Sequence, residues 1–166
     1  ATFAVIGGGR RNTCSGSTST IGGGGQNRAV GINSTISGGR QNVSNGQTST
    51  IGGGFLNTTL GLRSTIGGGA RNTASAATST IGGGTANTIS GGRSTIGGGD
   101  RNTISGTFSA VGGGTLNQGF GSYSVIGGGY SNYTVSGFGA VVGGGVLNTA
   151  SAATSTVAGG IFNTAS

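Results

Sequence analysis

Histidine, lysine, proline, methionine and tryptophan are all missing from this 166-residue chain, and Asp100 is its single acid. Neither a Ser/His/Asp triad nor a pair of catalytic carboxylates can be assembled from such a set. Zinc sites draw on Cys and His, of which there is one Cys and no His. Calcium-binding β-rolls need an Asp in each turn. A phosphate loop needs a Lys after its glycines, and the dinucleotide fingerprint needs a third Gly where this chain places Asn. The protein is therefore expected to be no enzyme and to use no metal or cofactor.

Other absences bear on architecture. Cys14 stands alone, so there is no disulfide framework and no reading of compartment from cysteine. Charged residues make up only 5% of the chain, and large apolar side chains are sparse. A single thick core is then out of reach, which leaves disorder or regular stacking. No stretch approaches the roughly 18 apolar residues of a membrane span. With no signal segment and no initiator Met, the chain is expected to be a mature or excised segment.

What is present is repetition. Taking Ile6 as phase zero, the same position holds Ile21, Ile36, Ile51, Ile66, Ile81, Ile96, Val111, Ile126, Val142 and Val157. The spacing is fifteen residues, with one extra residue entering near Tyr133. Six residues after each comes Asn: Asn12, Asn27, Asn42, Asn57, Asn72, Asn87, Asn102, Asn117, Asn132, Asn148 and Asn163. The consensus is S-T-I-G-G-G-x-x-N-T-x-S-G-x-x. Short β-branched runs broken by Gly at this period do not fit a helix. They fit an all-β parallel β-solenoid of eleven coils spanning residues 1–166 as one domain, each coil pairing with the next about 4.8 Å away.

Alternation places Ile inward, the preceding Thr outward and the Ser before it inward. It turns the first Gly of each triplet out and the second in. The second and third Gly occur in all eleven copies. One is assigned to a tight corner and part of the triplet to close approach of chains. The Asn column reads as structural, because Asn tolerates left-handed turns and stacked amides can bond along a rod. The Gly column at the second corner (Gly16, Gly31, Gly46, Gly61, Gly91, Gly106, Gly121, Gly137) reads the same way, although Ala76 and Ala152 interrupt it. The core is then one Ile or Val per coil plus a smaller residue such as Cys14, Ala74, Ile89, Ile104 or Ala150. Burial that thin hardly offsets ordering fifteen residues. Copies of the chain are therefore expected to pack on a Gly-rich face. Ala1 and Ser166 lie one phase step apart with no capping segment, so the array is expected to be part of a longer one or to continue end to end into the next subunit.

S-T-I-G-G-G-x-x-N-T-x-S-G, in copies such as residues 64–76, 79–91 and 94–106, resembles the head repeats of trimeric autotransporter adhesins and related phage tail-fibre and cell-surface proteins. The resemblance covers nearly the whole chain and implies left-handed parallel β-rolls, a trimer, and an adhesive role outside the cell. A fifteen-residue coil with G-G-G departs from the family's usual pattern, and no neck, stalk or anchor is identifiable.

Three readings of function follow. The favoured one is an extracellular structural or adhesive fibre or filament, contacting host surface, matrix or polysaccharide. The second is an ice-binding solenoid using Thr20, Thr35, Thr50, Thr65, Thr80 and Thr95, with Thr18, Thr48, Thr78 and Thr154 completing T-S-T rungs. The third is an Arg-mediated binder of anionic polymers, suggested by a net charge of +7 from eight Arg between Arg10 and Arg101. Those Arg occupy four phases of the repeat, so no stripe is expected and nucleic acid is disfavoured. Sequons occur at Asn33, Asn42, Asn57 and Asn132. If the ice-binding reading is right, Thr65→Lys and Thr80→Lys abolish thermal hysteresis; hysteresis that survives both removes it.

Overall fold

Each coil begins with a Thr–Ile pair because β-branched side chains favour extended backbone and the Gly triplet then stops the strand. In the computed structural model, which describes residues 3–135 and 138–166, these pairs run from Val5–Ile6 and Thr20–Ile21 to Thr156–Val157 and build one eleven-stranded sheet. A second eleven-stranded sheet runs from Thr13–Cys14 and Arg28–Ala29 to Thr164–Ala165, following the Asn column. Both are wholly parallel, each coil pairing with its neighbours in sequence, as in Thr20↔Thr35 and Ile21↔Ile36. A third line of parallel bridges links Arg10, Gly25, Arg40, Phe55 and their successors. The protein is thus an all-β parallel solenoid with three hydrogen-bonded lines along its axis. Eleven coils at the sheet spacing give a rod on the order of 50 Å long.

Register fixes the interior. Ile21, Ile36, Ile51, Ile66, Ile81, Ile96, Val111, Ile126, Val142 and Val157 are buried in one continuous column. Ile6 is the exception at 45% exposed, because only Ile21 stacks on it. The second inward column carries Cys14, Ala29, Ser44, Thr59, Ala74, Ile89, Ile104, Gly119, Thr134, Ala150 and Ala165. Between these columns lies buried Ser, at Ser19, Ser49, Ser64 and Ser124, whose hydroxyls donate to the corner carbonyls of Gly16, Gly46, Gly61 and Gly121 at 2.6–2.8 Å. Much of the interior is therefore polar, and its polar atoms bond within or between coils except the buried hydroxyls of Ser34 and Thr134. Ser44, Ser49 and Thr59 form a closed hydroxyl cluster at 2.7–3.1 Å.

The extra residue enters later than the sequence spacing placed it. Tyr133 still pairs with Gln118 and Thr134 with Gly119, whereas Val141 pairs with Val125 one residue further on. Val135 and Phe138 take the backbone positions that are two apart in other coils, so the insertion lies between them. The corner Gly137 lies outside the described residues.

Gly119 leaves the second inward column short of a side chain. A Cβ added there would meet Ser124 Oγ at 3.5 Å and Ile104 Cγ1 and Thr134 Oγ1 at 3.7 Å, all ordinary contacts. The Thr134 hydroxyl across this gap is buried without a partner. Gly119→Ala should stabilise the protein by about 1 kcal/mol, combining a buried methyl with a stiffer unfolded chain. The check is a thermal midpoint raised by a few degrees; a lowered one would show that the gap is closed to side chains.

Candidate functional site

The outward surface is made of columns, each one repeat phase repeated along the rod. Which atoms each column presents depends on how the two corners turn. At the first corner the left-handed residue is not Asn but the residue before it. Arg11, Gln26, Leu56, Ala86 and Leu116 all have φ between +55° and +59°. At the second corner the left-handed residues are Thr18, Asn33, Thr48, Arg63, Thr78, Arg93, Phe108, Tyr123 and Thr154, again near +55°. The corner glycines Gly16, Gly31, Gly46, Gly61, Gly91, Gly106 and Gly121 have no positive φ. A Cβ on Gly16, Gly31, Gly46, Gly61, Gly91 or Gly106 would lie 1.9–2.2 Å from the next coil's carbonyl oxygen, although Ala76 stands at this position in its own coil.

Of the two tasks expected of Asn, it performs the bonding along the rod and not the left-handed turn. Oδ1 of Asn27 accepts from the backbone N–H of Asn42 at 3.0 Å. Its Nδ2 donates to Gly23 O at 3.0 Å in the same coil and to Gly39 O at 2.9 Å in the next. Asn42, Asn57, Asn72, Asn87, Asn102, Asn117, Asn132 and Asn148 repeat this arrangement and are fully buried. Asn12 is half-buried and Asn163 is exposed, each in a terminal coil. The buried amides thus bond mainly to backbone, with further amide-to-amide bonds at 3.1–3.2 Å such as Asn102 Nδ2 to Asn87 Oδ1, and they are unavailable to a ligand. The same burial takes Asn42, Asn57 and Asn132 out of consideration as glycan acceptors and leaves Asn33, exposed at the second corner.

Thr20, Thr35, Thr50, Thr65, Thr80 and Thr95 do form an in-register outward column, half-buried or exposed. Thr18, Thr48, Thr78 and Thr154 do not extend it into T-S-T rungs, because they sit in the left-handed corner rather than in the strand. Alternation fails where the backbone leaves the β region. The Thr surface is one column wide, and the corner column beside it carries Arg93, Phe108 and Tyr123.

That corner column is itself a ladder. The Arg93 guanidinium carbon lies 5.1 Å from the Phe108 ring centroid. Phe108 stacks on Tyr123 with centroids 4.8 Å apart and planes 8° from parallel, and Tyr123 meets Phe138 at 4.6 Å. The coil spacing matches aromatic stacking distance, which lets Phe108 and Tyr123 stack face to face, while Phe138 is tilted by 43° to Tyr123.

The Gly triplet has three distinct environments. A Cβ on the first Gly would point along the rod at the next coil's carbonyl, 2.2–2.5 Å away, yet Ser37 stands at this position. The third Gly is left-handed, with φ from +81° to +102°. A Cβ on Gly69 would lie 2.1 Å from Gly84 O and 2.8 Å from Asn72 Nδ2. The middle Gly was expected to face in; instead a Cβ on Gly8, Gly23, Gly38, Gly68, Gly83 or Gly98 would meet nothing within 4 Å. It forms an open row along the rod.

One feature was not visible in repeat phase alone. Arg10 and Arg40 belong to one phase and Arg11 to the next, but the fold brings all three around Gly25. Gln26 completes the lining of a cavity of about 370 Å³. The signal in the sequence is the fourth Gly of Gly22–Gly25, which falls midway between Arg10 and Arg40.

Set against protein-family models and curated proteins, the sequence matches none.

The Asn–Gly corner yields a paired test. Asn72→Ala removes the three hydrogen bonds of the side chain, from Asn87 N–H and to Gly68 O and Gly84 O, and leaves those buried backbone groups without this partner, a loss of about 3 kcal/mol. Gly69→Ala forces a Cβ into a left-handed position against backbone and should be at least as damaging. Urea denaturation of both variants checks this, and a change under about 1 kcal/mol for either would remove the corner from its central place.

Proposed function

We propose that this protein is a non-catalytic structural fibre segment, displayed outside the cell, whose rods associate with copies of themselves along the open Gly row. The observation that carries the reading is the middle Gly of the triplet. Eleven coils sample that position, and all eleven hold Gly. At Gly53, Gly128 and Gly144 a φ of +155° to +157° itself favours Gly, but at Gly68, Gly83 and Gly98 the backbone has no such φ and the space beyond the Cα is empty. By contrast the first position of the triplet, which is crowded by the next coil, accepts Ser37. A position that is sterically free within the chain yet never used is best explained by close backbone approach from outside.

The thin interior supports the same reading, since a rod with one Ile or Val and one smaller residue per coil gains from burying a side-chain-free face against its copies. The resemblance to trimeric adhesin heads supports three rods as the assembled unit. It also supports an adhesive task for the outward columns, with host surface, matrix or polysaccharide as the contact.

The triple variant Gly68→Ala, Gly83→Ala, Gly98→Ala tests this. Each added methyl enters open space, so circular dichroism and the thermal midpoint of the dissociated chain stay unchanged. Sedimentation velocity should show the wild type associating and the variant shifted to monomer by at least about tenfold in dissociation constant, the effect of holding two backbones one methyl apart. A monomeric wild type, or a variant that assembles equally well, would overturn the proposal.

A further inference from the structure

The notch at Gly25 has the makings of a binding site that the packing of rods does not require. Parallel bridges join Arg10 to Gly25 and Gly25 to Arg40, so the two Arg flank the Gly at one coil spacing on either side, roughly 10 Å apart along the axis. Every other coil carries a side chain at this position, among them Phe55, Tyr130 and Val146. Only Gly25 leaves its slot empty, and the cavity of about 370 Å³ is the result.

Recognition in this slot falls to side chains. The amides of Arg10, Gly25 and Arg40 already donate to Gly24, Gly39 and Gly54 carbonyls at 2.8–2.9 Å, and that of Gln26 to Arg10 O at 2.9 Å. The side chains supply three guanidinium groups and one carboxamide. No acid offsets them: Asp100, the chain's one carboxylate, lies against Arg101 at 3.4 Å. The Arg40 guanidinium carbon lies 6.0 Å from the Phe55 ring centroid, at the outer reach of a cation–π contact.

We infer that this notch binds an acidic sugar unit of a polysaccharide. The Arg forks would take the carboxylate or sulfate, and Gln26 the hydroxyls. Guanidinium forks match planar oxyanions in bidentate fashion. A carboxamide both donates and accepts, which suits a hydroxyl and adds little for a bare phosphate. The extent of the site also favours a single unit over a tract. Along the column of Arg11 and Gln26 the next residues are Gln41 and Leu56, so positive charge does not continue as a track for a nucleic-acid backbone.

The test is isothermal titration calorimetry on the full chain with an oligogalacturonate and a sulfated heparin oligosaccharide of defined length, beside inorganic polyphosphate of equal charge. At least one of the two sugars should bind in a one-to-one ratio and more tightly than polyphosphate. Gly25→Leu fills the slot without changing charge, and its added Cβ would have only Arg10 O for a neighbour, at 3.8 Å. It should weaken sugar binding about tenfold or more, and Arg40→Gln should do the same. Arg63→Gln makes the same charge change at the other corner and should leave affinity within about twofold. Should Gly25→Leu fail to fold, the contrast of Arg40→Gln with Arg63→Gln decides alone. No sugar binding, equal losses from Arg40→Gln and Arg63→Gln, or polyphosphate binding as tightly as the sugars would each overturn the inference.

Discussion

The three hydrogen bonds of each Asn side chain hold the corner on which every other feature depends. Asn accepts from the next coil's N–H and donates both amide protons to Gly carbonyls, one in its own coil and one above. Those carbonyls sit where they do because the third Gly of the triplet is left-handed and carries no Cβ. The side chain thus locks coil to coil and, at the same time, sets the angle at which the chain leaves the triplet. The identical bond set recurs at each level and is kept even across the coil with one extra residue, where Asn148 N–H still donates to Asn132 Oδ1 at 3.0 Å.

Register, once set, does the remaining work. It stacks Ile on Ile, Ser on Ser and Gly on Gly, so that a small interior is filled by columns rather than by an interlocking core. It also holds non-Gly residues such as Arg71, Leu116 and Phe108 in left-handed backbone, a conformation that costs roughly 1–2 kcal/mol per residue. The ladder overdetermines these corners: Arg71 N–H donates to Phe55 O at 2.8 Å and Phe108 N–H to Gly92 O at 3.0 Å. Repeating bonds along the axis therefore support local strain that a lone turn would relax.

The same periodicity turns single residues into surfaces. A Phe, a Tyr and an Arg at one phase become the ladder of Arg93, Phe108 and Tyr123, with Phe138 tilted against its end, because coil spacing and ring stacking share nearly one distance. A Gly where neighbours carry Arg becomes a notch. Departures from the consensus are thus where a rod of this kind acquires individuality, and an open, never-substituted Gly row is where it would acquire partners.

The fifteen-residue period by itself determined the class of fold, the number of coils, the inward Ile and Ser and the outward Thr of the strand. These follow from two-residue alternation in extended backbone, which needs no knowledge of neighbours. Tertiary structure decided whatever lies outside the β region. Alternation turned the middle Gly inward and joined Thr18 to Thr20 in one rung, but the middle Gly opens onto empty space and Thr18 sits in a left-handed corner. Of the two tasks the sequence suggested for Asn, bonding along the rod is its own and the left-handed turn belongs to the residue before it. Arg10, Arg11 and Arg40 looked dispersed because phase counts position within a coil, and the cluster exists only across three stacked coils. Contacts along the chain are written in the sequence; contacts along the rod axis exist only once the coils are stacked.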